Sequence, residues 1–461
     1  MVNATFYRTG GPIYMSTAGE TPLTRNDVDN TYATELAAAT GGMVVSVEHR
    51  FYGQSNPLPD LSGNSLKYLT VDNVLEDFAS VVRAIKANET ATNSTVIGLP
   101  VSVASESPVI FVGGSYPGAV AAWMRAKYPD LVAGAWSSAA AVYGRLENYQ
   151  FDQGFGRHLK TAMVAGGGGS GCAECFAQAV ADLDQILLSG DAARIAAVQE
   201  RLGIPLLGTS DLANILTVLA TIGALQPVTT VSDPVYSTVC VYFEKGLNQT
   251  TDTKGSGYSA CLNSYIAMIN GLVAQSGLTP PMLVALGNSS LAVDNTALNQ
   301  PQRVWYYQMC TWFGMWQVAP PLMSNSSSSG LVGYRSQLLD LDYFQSSCPK
   351  KFGAQAKDPA DVDSFNAKWF EILRNTSNVL YTSGSLDPWR DSTVDTSWGN
   401  LVDPPGASVV LTIDGATHAQ DLQPSRSTDL LSVKQARMLG KRLVKQWIRQ
   451  ARRDSRHRYN C

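Results

Sequence analysis

The chain has 461 residues, 45% hydrophobic and 16% charged, with a formal net charge of −4. This is globular composition with ample material for a core, and the charge is too small to attract nucleic acid. No apolar run reaches the roughly 18 residues that a bilayer crossing needs. The length allows two or three ordinary domains, or one large domain carrying an insertion.

Pro12–Ser16 reads as a short strand followed by the loop Thr17–Glu20. Thr31–Ala39 has helical character and ends at Gly41-Gly42. Met43–Glu48 is a continuous apolar strand running into His49 to Ser55, and Val71–Ala87 carries Val74, Leu75, Phe78, Val81, Val82 and Ile85 at helical spacing. Pro108–Val112 is the next buried strand, Ala119–Tyr128 a helix, and Leu131–Trp136 a further strand. Strands alternating with helices predict a mainly parallel sheet covered on both faces.

Between the strand at 108–112 and the helix stands Gly113-Gly114-Ser115-Tyr116-Pro117-Gly118. Strand, glycine-flanked serine, helix is the layout of a nucleophile elbow, in which a sharp turn lifts the Ser115 hydroxyl out of the sheet. The G-x-S-x-G pattern places a second glycine where this chain has Pro117, with Gly118 one later. A first helical turn tolerates proline, although proline biases Tyr116 away from helical angles. The alternative is a glycine-rich turn whose serine only caps the helix.

Past residue 145 the strand–helix rhythm stops, and Phe176 to about Leu225 is alanine- and leucine-rich and helical. Residues 146–360 are therefore read as a helical insertion between two parts of one α/β unit, 1–145 and 361–461. Six of the seven cysteines fall between Cys172 and Cys348, enough for three bridges, with Cys461 left over. Cys172-x-x-Cys175 lacks the second pair that a zinc site requires, so disulfides are the expectation and no metal or cofactor is. Asn3, Asn88, Asn93, Asn248, Asn288, Asn325 and Asn375 each open a glycosylation sequon. Both features suit an oxidising, exported compartment. The first 20 residues carry no signal pattern, and the expectation is that the chain starts downstream of one.

The rhythm resumes with a helix at Asp361–Leu373, strands at Val379–Thr382 and Ser408–Ile413, and a last helix from about Val433 to Arg452. A serine nucleophile needs a base, and in an α/β-hydrolase the chain order is Ser, acid, His. Of the four histidines, His49 precedes the serine, His158 lies in the insertion and His457 in a charged tail. His418 follows a late strand. Asp387, in the turn after the strand at 379–382, is the candidate acid, with Asp391, Asp395 and Asp403 as rivals. The Tyr116 N–H is one expected oxyanion donor, and the Gly19 or Glu20 N–H the second.

Seven stretches resemble the family of lysosomal Pro-X carboxypeptidase, dipeptidyl peptidase II and thymus-specific serine protease. They are GGPIYMSTAGE (10–20), VEHRFYGQS (47–55), LKYLTVDNVLEDFA (66–79), GGSYPGAVAAWMRAKYPDLVAGAWSSAA (113–140), YYQMCTWFG (306–314), SGSLDPW (383–389) and DGATHAQDL (414–422). The resemblance implies an α/β-hydrolase fold with a helical cap and a Ser115–Asp387–His418 triad. It implies cleavage after proline in short peptides, a proline slot lined by Met315 and Trp389, and a Cys310–Cys348 bridge. Removal of a C-terminal residue is the expected mode, in a secreted or lysosomal/vacuolar setting; homodimer formation is left open. Dipeptidyl-peptidase, endopeptidase, esterase and purely binding roles are the alternatives. Two departures stand out: Pro117, and Trp312 where the family carries a glutamate.

Overall fold

The computed structural model describes residues 1–87, 99, 101–162, 170–204, 207–247, 257–277, 279, 296–321, 333–356, 359–394 and 408–459. The glycosylation asparagines Asn88, Asn93, Asn248, Asn288 and Asn325 lie outside these residues, as do Asp395, Asp403 and Cys461.

A seven-stranded sheet forms the frame. Its strands are β1 (Val2–Asn3), β2 (Ile13–Ser16), β3 (Met43–Ser46), β4 (Val109–Gly114), β5 (Gly134–Ser138), β8 (Val379–Gly384) and β9 (Val409–Ile413). Their spatial order is β1-β3-β2-β4-β5-β8-β9, antiparallel at β1–β3 and parallel elsewhere. The strands are apolar on both sides, because both faces are covered. Ile13, Met15, Val109 and Phe111 point into one core with Trp123 and Phe78, while Tyr14, Ile110, Val112 and Trp136 point into a second core with Leu36, Val444 and Trp447. Alternation with period two thus feeds two cores from each strand.

Helix Tyr116–Lys127 begins directly after Ser115, three residues earlier than expected. Pro117 sits in its first turn, where the missing N–H costs nothing, and the N–H groups of Gly118 and Ala119 both donate to the Ser115 carbonyl. The last helix, Leu431–Tyr459, extends beyond its expected limits at both ends.

Between β5 and β8 the chain is mainly helical, with helices at Gln150–Thr161, Ser170–Leu187, Ala192–Leu202, Thr209–Thr221 and Ala260–Ser276. Three disulfides tie this part together: Cys172–Cys240, Cys175–Cys261 and Cys310–Cys348. Two short strands, β6 (Arg145–Glu147) and β7 (Gly314–Trp316), pair in parallel and close its ends against each other. Periodicity could not show them, since each is three residues long and the partner is remote in sequence. The whole is an α/β-hydrolase fold with a largely helical cap. Asn3 is half-buried, and its amide donates to Val28 O and Asp29 Oδ1; Asn375 is exposed after helix Val362–Arg374.

Candidate active site

Ser115 occupies the turn between β4 and helix Tyr116–Lys127 with φ 62° and ψ −135°. A non-glycine residue there stores roughly 1–3 kcal/mol of strain, held only if its surroundings enforce it. They do: the Ser115 N–H donates to Ser138 O at 2.8 Å. A Cβ on Gly113 would lie 2.3 Å from Pro117 O, and one on Gly118 2.8 Å from Gly113 O. The close approach that G-x-S-x-G assigns to its last glycine is met here by Gly118. The Ser115 side chain makes no capping bond to its helix; it faces a cavity instead.

Asp387 and His418 follow the adjacent parallel strands β8 and β9, so their loops emerge side by side. His418 Nδ1 lies 2.9 and 3.1 Å from the two Asp387 carboxylate oxygens. Asp387 is fully buried and also accepts the Trp389 N–H at 2.9 Å. The loops are laced by Leu386 N–H to Ala416 O (3.0 Å) and Ser385 N–H to Ile413 O (2.9 Å). The turn bearing His418 rests on the elbow: a Cβ at Gly114 would come within 2.7 Å of the Ala419 Cβ. No hydrogen bond joins the Ser115 hydroxyl to His418 among the described residues, a contact that in such sites tightens when substrate arrives.

The rival groups are occupied elsewhere. Asp391 pairs with Arg157 at 2.9 Å, and His158 with Asp233 at 3.2 Å. His49 is buried, with Nδ1 on Arg50 O and Nε2 on the Tyr116 hydroxyl, both at 2.8 Å. Burial pushes its pKa down to about 4, so it is neutral and fixes the Tyr116 ring.

A cavity of about 210 Å³ opens beside Ser115, walled by Tyr116, Trp305, Phe313, Met315, Trp389 and two alanines, with Glu20 at its edge. Met315 holds a positive φ of 56° immediately after the Cys310-bearing turn, and Trp389 packs edge-on against Phe151 of the cap. Met315 and Trp389 therefore line the same space as Ser115.

The expected oxyanion donors differ in the partners they have. The Tyr116 N–H, first in its helix, is bonded to no acceptor among the described residues. The Gly19 N–H, by contrast, donates to Thr17 Oγ1 at 3.2 Å, and the Glu20 N–H to Ala18 O at 3.0 Å. Both amides are spent inside their own tight turn. What Glu20 brings to the cavity is its carboxyl, which no reading of backbone donors could find. Burial pushes that carboxyl up to about 7, against the opposing pull of His418. Burial would lower His418, but the charge and hydrogen bond of Asp387 outweigh it, helped by Glu20 and Asp421, and its pKa stands above the usual 6.5.

A strained serine elbow, a buried Asp–His pair and an apolar cavity on an α/β-hydrolase sheet have the layout of a serine hydrolase site. The serine carboxypeptidase S28 family model matches residues 1–439, and the chain belongs to that family. It is a serine-type peptidase. It is 28% identical over 457 residues to the thymus-specific serine protease of Mus musculus, covering 97% of this chain and 83% of that protein. It is 25% identical over 456 residues to the lysosomal Pro-X carboxypeptidase of Bos taurus, covering 95% of this chain and 81% of that one. A probable extracellular serine carboxypeptidase of Arthroderma benhamiae (strain ATCC MYA-4681 / CBS 112371) is 25% identical over 488 residues, covering 97% and 63%.

Proposed function

We propose that the protein hydrolyses peptide bonds on the carboxyl side of proline, through an acyl-enzyme on Ser115, as an exopeptidase releasing a C-terminal residue from short peptides. The cavity carries this reading. Its wall of Tyr116, Trp305, Phe313, Met315 and Trp389 is apolar and largely aromatic, which suits a rigid pyrrolidine ring. The carboxypeptidase mode rests on the relatives' names. Disulfides and those relatives together support a secreted or lysosomal/vacuolar setting.

In this mechanism Ser115 Oγ attacks the prolyl carbonyl carbon while His418 Nε2 takes the hydroxyl proton. Asp387, on Nδ1, keeps the tautomer that leaves Nε2 free and stabilises the imidazolium. The oxyanion receives the Tyr116 N–H and the proton of a neutral Glu20 carboxyl. The tetrahedral intermediate collapses, the C–N bond breaks, and the leaving amine takes the proton from His418. Water, deprotonated by His418, then adds to the acyl carbon, the ester C–O bond to Ser115 breaks, and His418 returns the proton to Ser115 Oγ as the peptide acid leaves. The active form needs His418 neutral and Glu20 protonated. The two groups interact, so the titration of one bears on the other.

A second reading, dipeptidyl peptidase, draws on Glu20: ionised, the same carboxyl would greet a substrate amine. Wild type and Ser115→Ala are compared on blocked Pro-X peptides, free X-Pro amides and a simple ester, with products followed by mass. Serine-dependent release of X from N-blocked peptides is expected. Cleavage confined to free X-Pro amides would establish the second reading, and turnover of the ester alone would overturn both.

A further inference from the structure

His418 sits in a turn whose anchoring does not come from its own neighbours. Asp421, three residues on and 1% exposed, accepts hydrogen bonds from Trp136 Nε1 (2.9 Å), Ser138 Oγ (2.5 Å) and Thr382 Oγ1 (2.7 Å). Trp136 and Ser138 belong to β5, Thr382 to β8. One carboxylate thus fastens the turn to the tips of the two strands that flank the elbow and the acid loop. From the other side, Arg437 gathers the carbonyls of Gln420, Asp421 and Gln423 and pairs with Asp429 at 2.6 Å. Between these holds the backbone is forced at Ala419 into the left-handed region, φ 46°, the step that lays the turn over Gly114.

We propose that Asp421 is a positioning residue for His418: it locks the turn that carries the imidazole and keeps a buried negative charge behind it. The inference rests on Ser115 and His418 acting as nucleophile and base. The charged groups facing His418 are Asp387 from the loop after β8, Glu20 from the loop after β2, and Asp421 from its own turn. Asp421 in turn faces the Tyr32 hydroxyl of helix Tyr32–Thr40, and Arg437 packs beneath it. A carboxylate that only tied two strands to a loop would be replaceable by an amide. An asparagine oxygen can still accept the indole N–H and one hydroxyl, while the other hydroxyl turns round to accept from the new NH2. The amide keeps the tie and removes the charge.

The experiment measures the rate at which a fluorophosphonate ester labels Ser115 in the full chain between pH 4.5 and 9, located by peptide mass. This needs no assumption about peptide substrate. In Asp421→Asn the acid limb of the rate profile is expected to move down by roughly half to one pH unit, because the imidazolium loses a stabilising anion. A limb that coincides with that of wild type overturns the inference, whatever happens to the maximal rate. If Asp421→Asn does not fold, Thr382→Val serves: it removes one donor and leaves the charge less compensated. Its limb is then expected to move up by a few tenths of a unit, and an unmoved limb again overturns the inference. Wild type that fails to label at Ser115 overturns the nucleophile assignment and this inference with it.

Discussion

The serine elbow and the histidine turn reach comparable precision by opposite means. At the elbow, φ 62° at Ser115 is enforced mainly by its own turn: Gly113 and Gly118 let the backbone close on itself, with one hold from outside, the Ser138 carbonyl of the neighbouring β5 on the Ser115 N–H. The histidine turn is held by residues from four other segments of the chain. Trp136, Ser138 and Thr382 meet Asp421, Arg437 gathers the carbonyls, and the cap contributes Val228 O to Gln420 Nε2 and Gln226 O to Thr417 Oγ1. Ser115 is placed mainly by its own turn and His418 by assembly. Damage to distant parts should therefore reach the base and spare the elbow.

The largest effect expected is at the meeting of the two loops. Asp387→Asn should lower kcat by about 10⁴-fold, by favouring the wrong imidazole tautomer, with the melting temperature little changed; steady-state kinetics beside a thermal melt checks both. Arg437→Leu comes next. It leaves Asp429 buried without its cation, and removing one partner of such a pair costs about 3–5 kcal/mol. Urea unfolding reads the loss, and an active-site titration should show the base impaired in the protein that still folds.

Gly113→Ala probes the other mechanism. Its Cβ would meet the Pro117 backbone oxygen, and overpacking of this kind costs about 1–3 kcal/mol. Because the elbow itself must shift, kcat should fall in step with stability. Equal activity in a destabilised variant would break the comparison.

Glu20→Gln tests the pH behaviour. Glu20 must be protonated to donate, so wild-type kcat/KM should fall as pH rises through about 7, and the variant should lose that alkaline limb while keeping an acid one. A pH–rate profile of both proteins decides it. The smallest effect is expected from Gln420→Ala, which severs the cap's bond to the histidine turn. About 1 kcal/mol of stability should go, with a severalfold drop in kcat and no change in how Ser115 sits in a crystal structure of the variant.

Much of this was legible in the chain. Short apolar runs such as PIYMS and MVVSVE, alternating with helical segments, are enough to announce a mainly parallel sheet covered on both faces, because a strand whose side chains are buried on both sides has no polar face to show. Ser115, Asp387 and His418 were candidates from their places after such strands, and the structure brings Asp387 and His418 into contact. The turn at Thr17–Glu20 was legible as a loop, but the local partners of its amides, Thr17 Oγ1 and Ala18 O, were not. The first depends on the Thr17 rotamer and the second on local backbone angles, and residue order specifies neither.

Other features exist only in three dimensions. Cys172 and Cys175 stand three apart yet bond to Cys240 and Cys261 on separate segments, a choice set by which sulfurs the packed helices bring together. The Glu20 carboxyl stands near 7 because of what encloses it; desolvation is a property of surroundings and leaves no periodic trace. Asp421 looks in sequence like one more acidic residue after a histidine, and becomes an anchor only when β5 and β8 present three donors to it. Backbone periodicity and local steric rules acted over a few residues and were readable in order. Burial, cystine pairing and long-range hydrogen bonds depend on distances between residues far apart in sequence, and folding alone decided those.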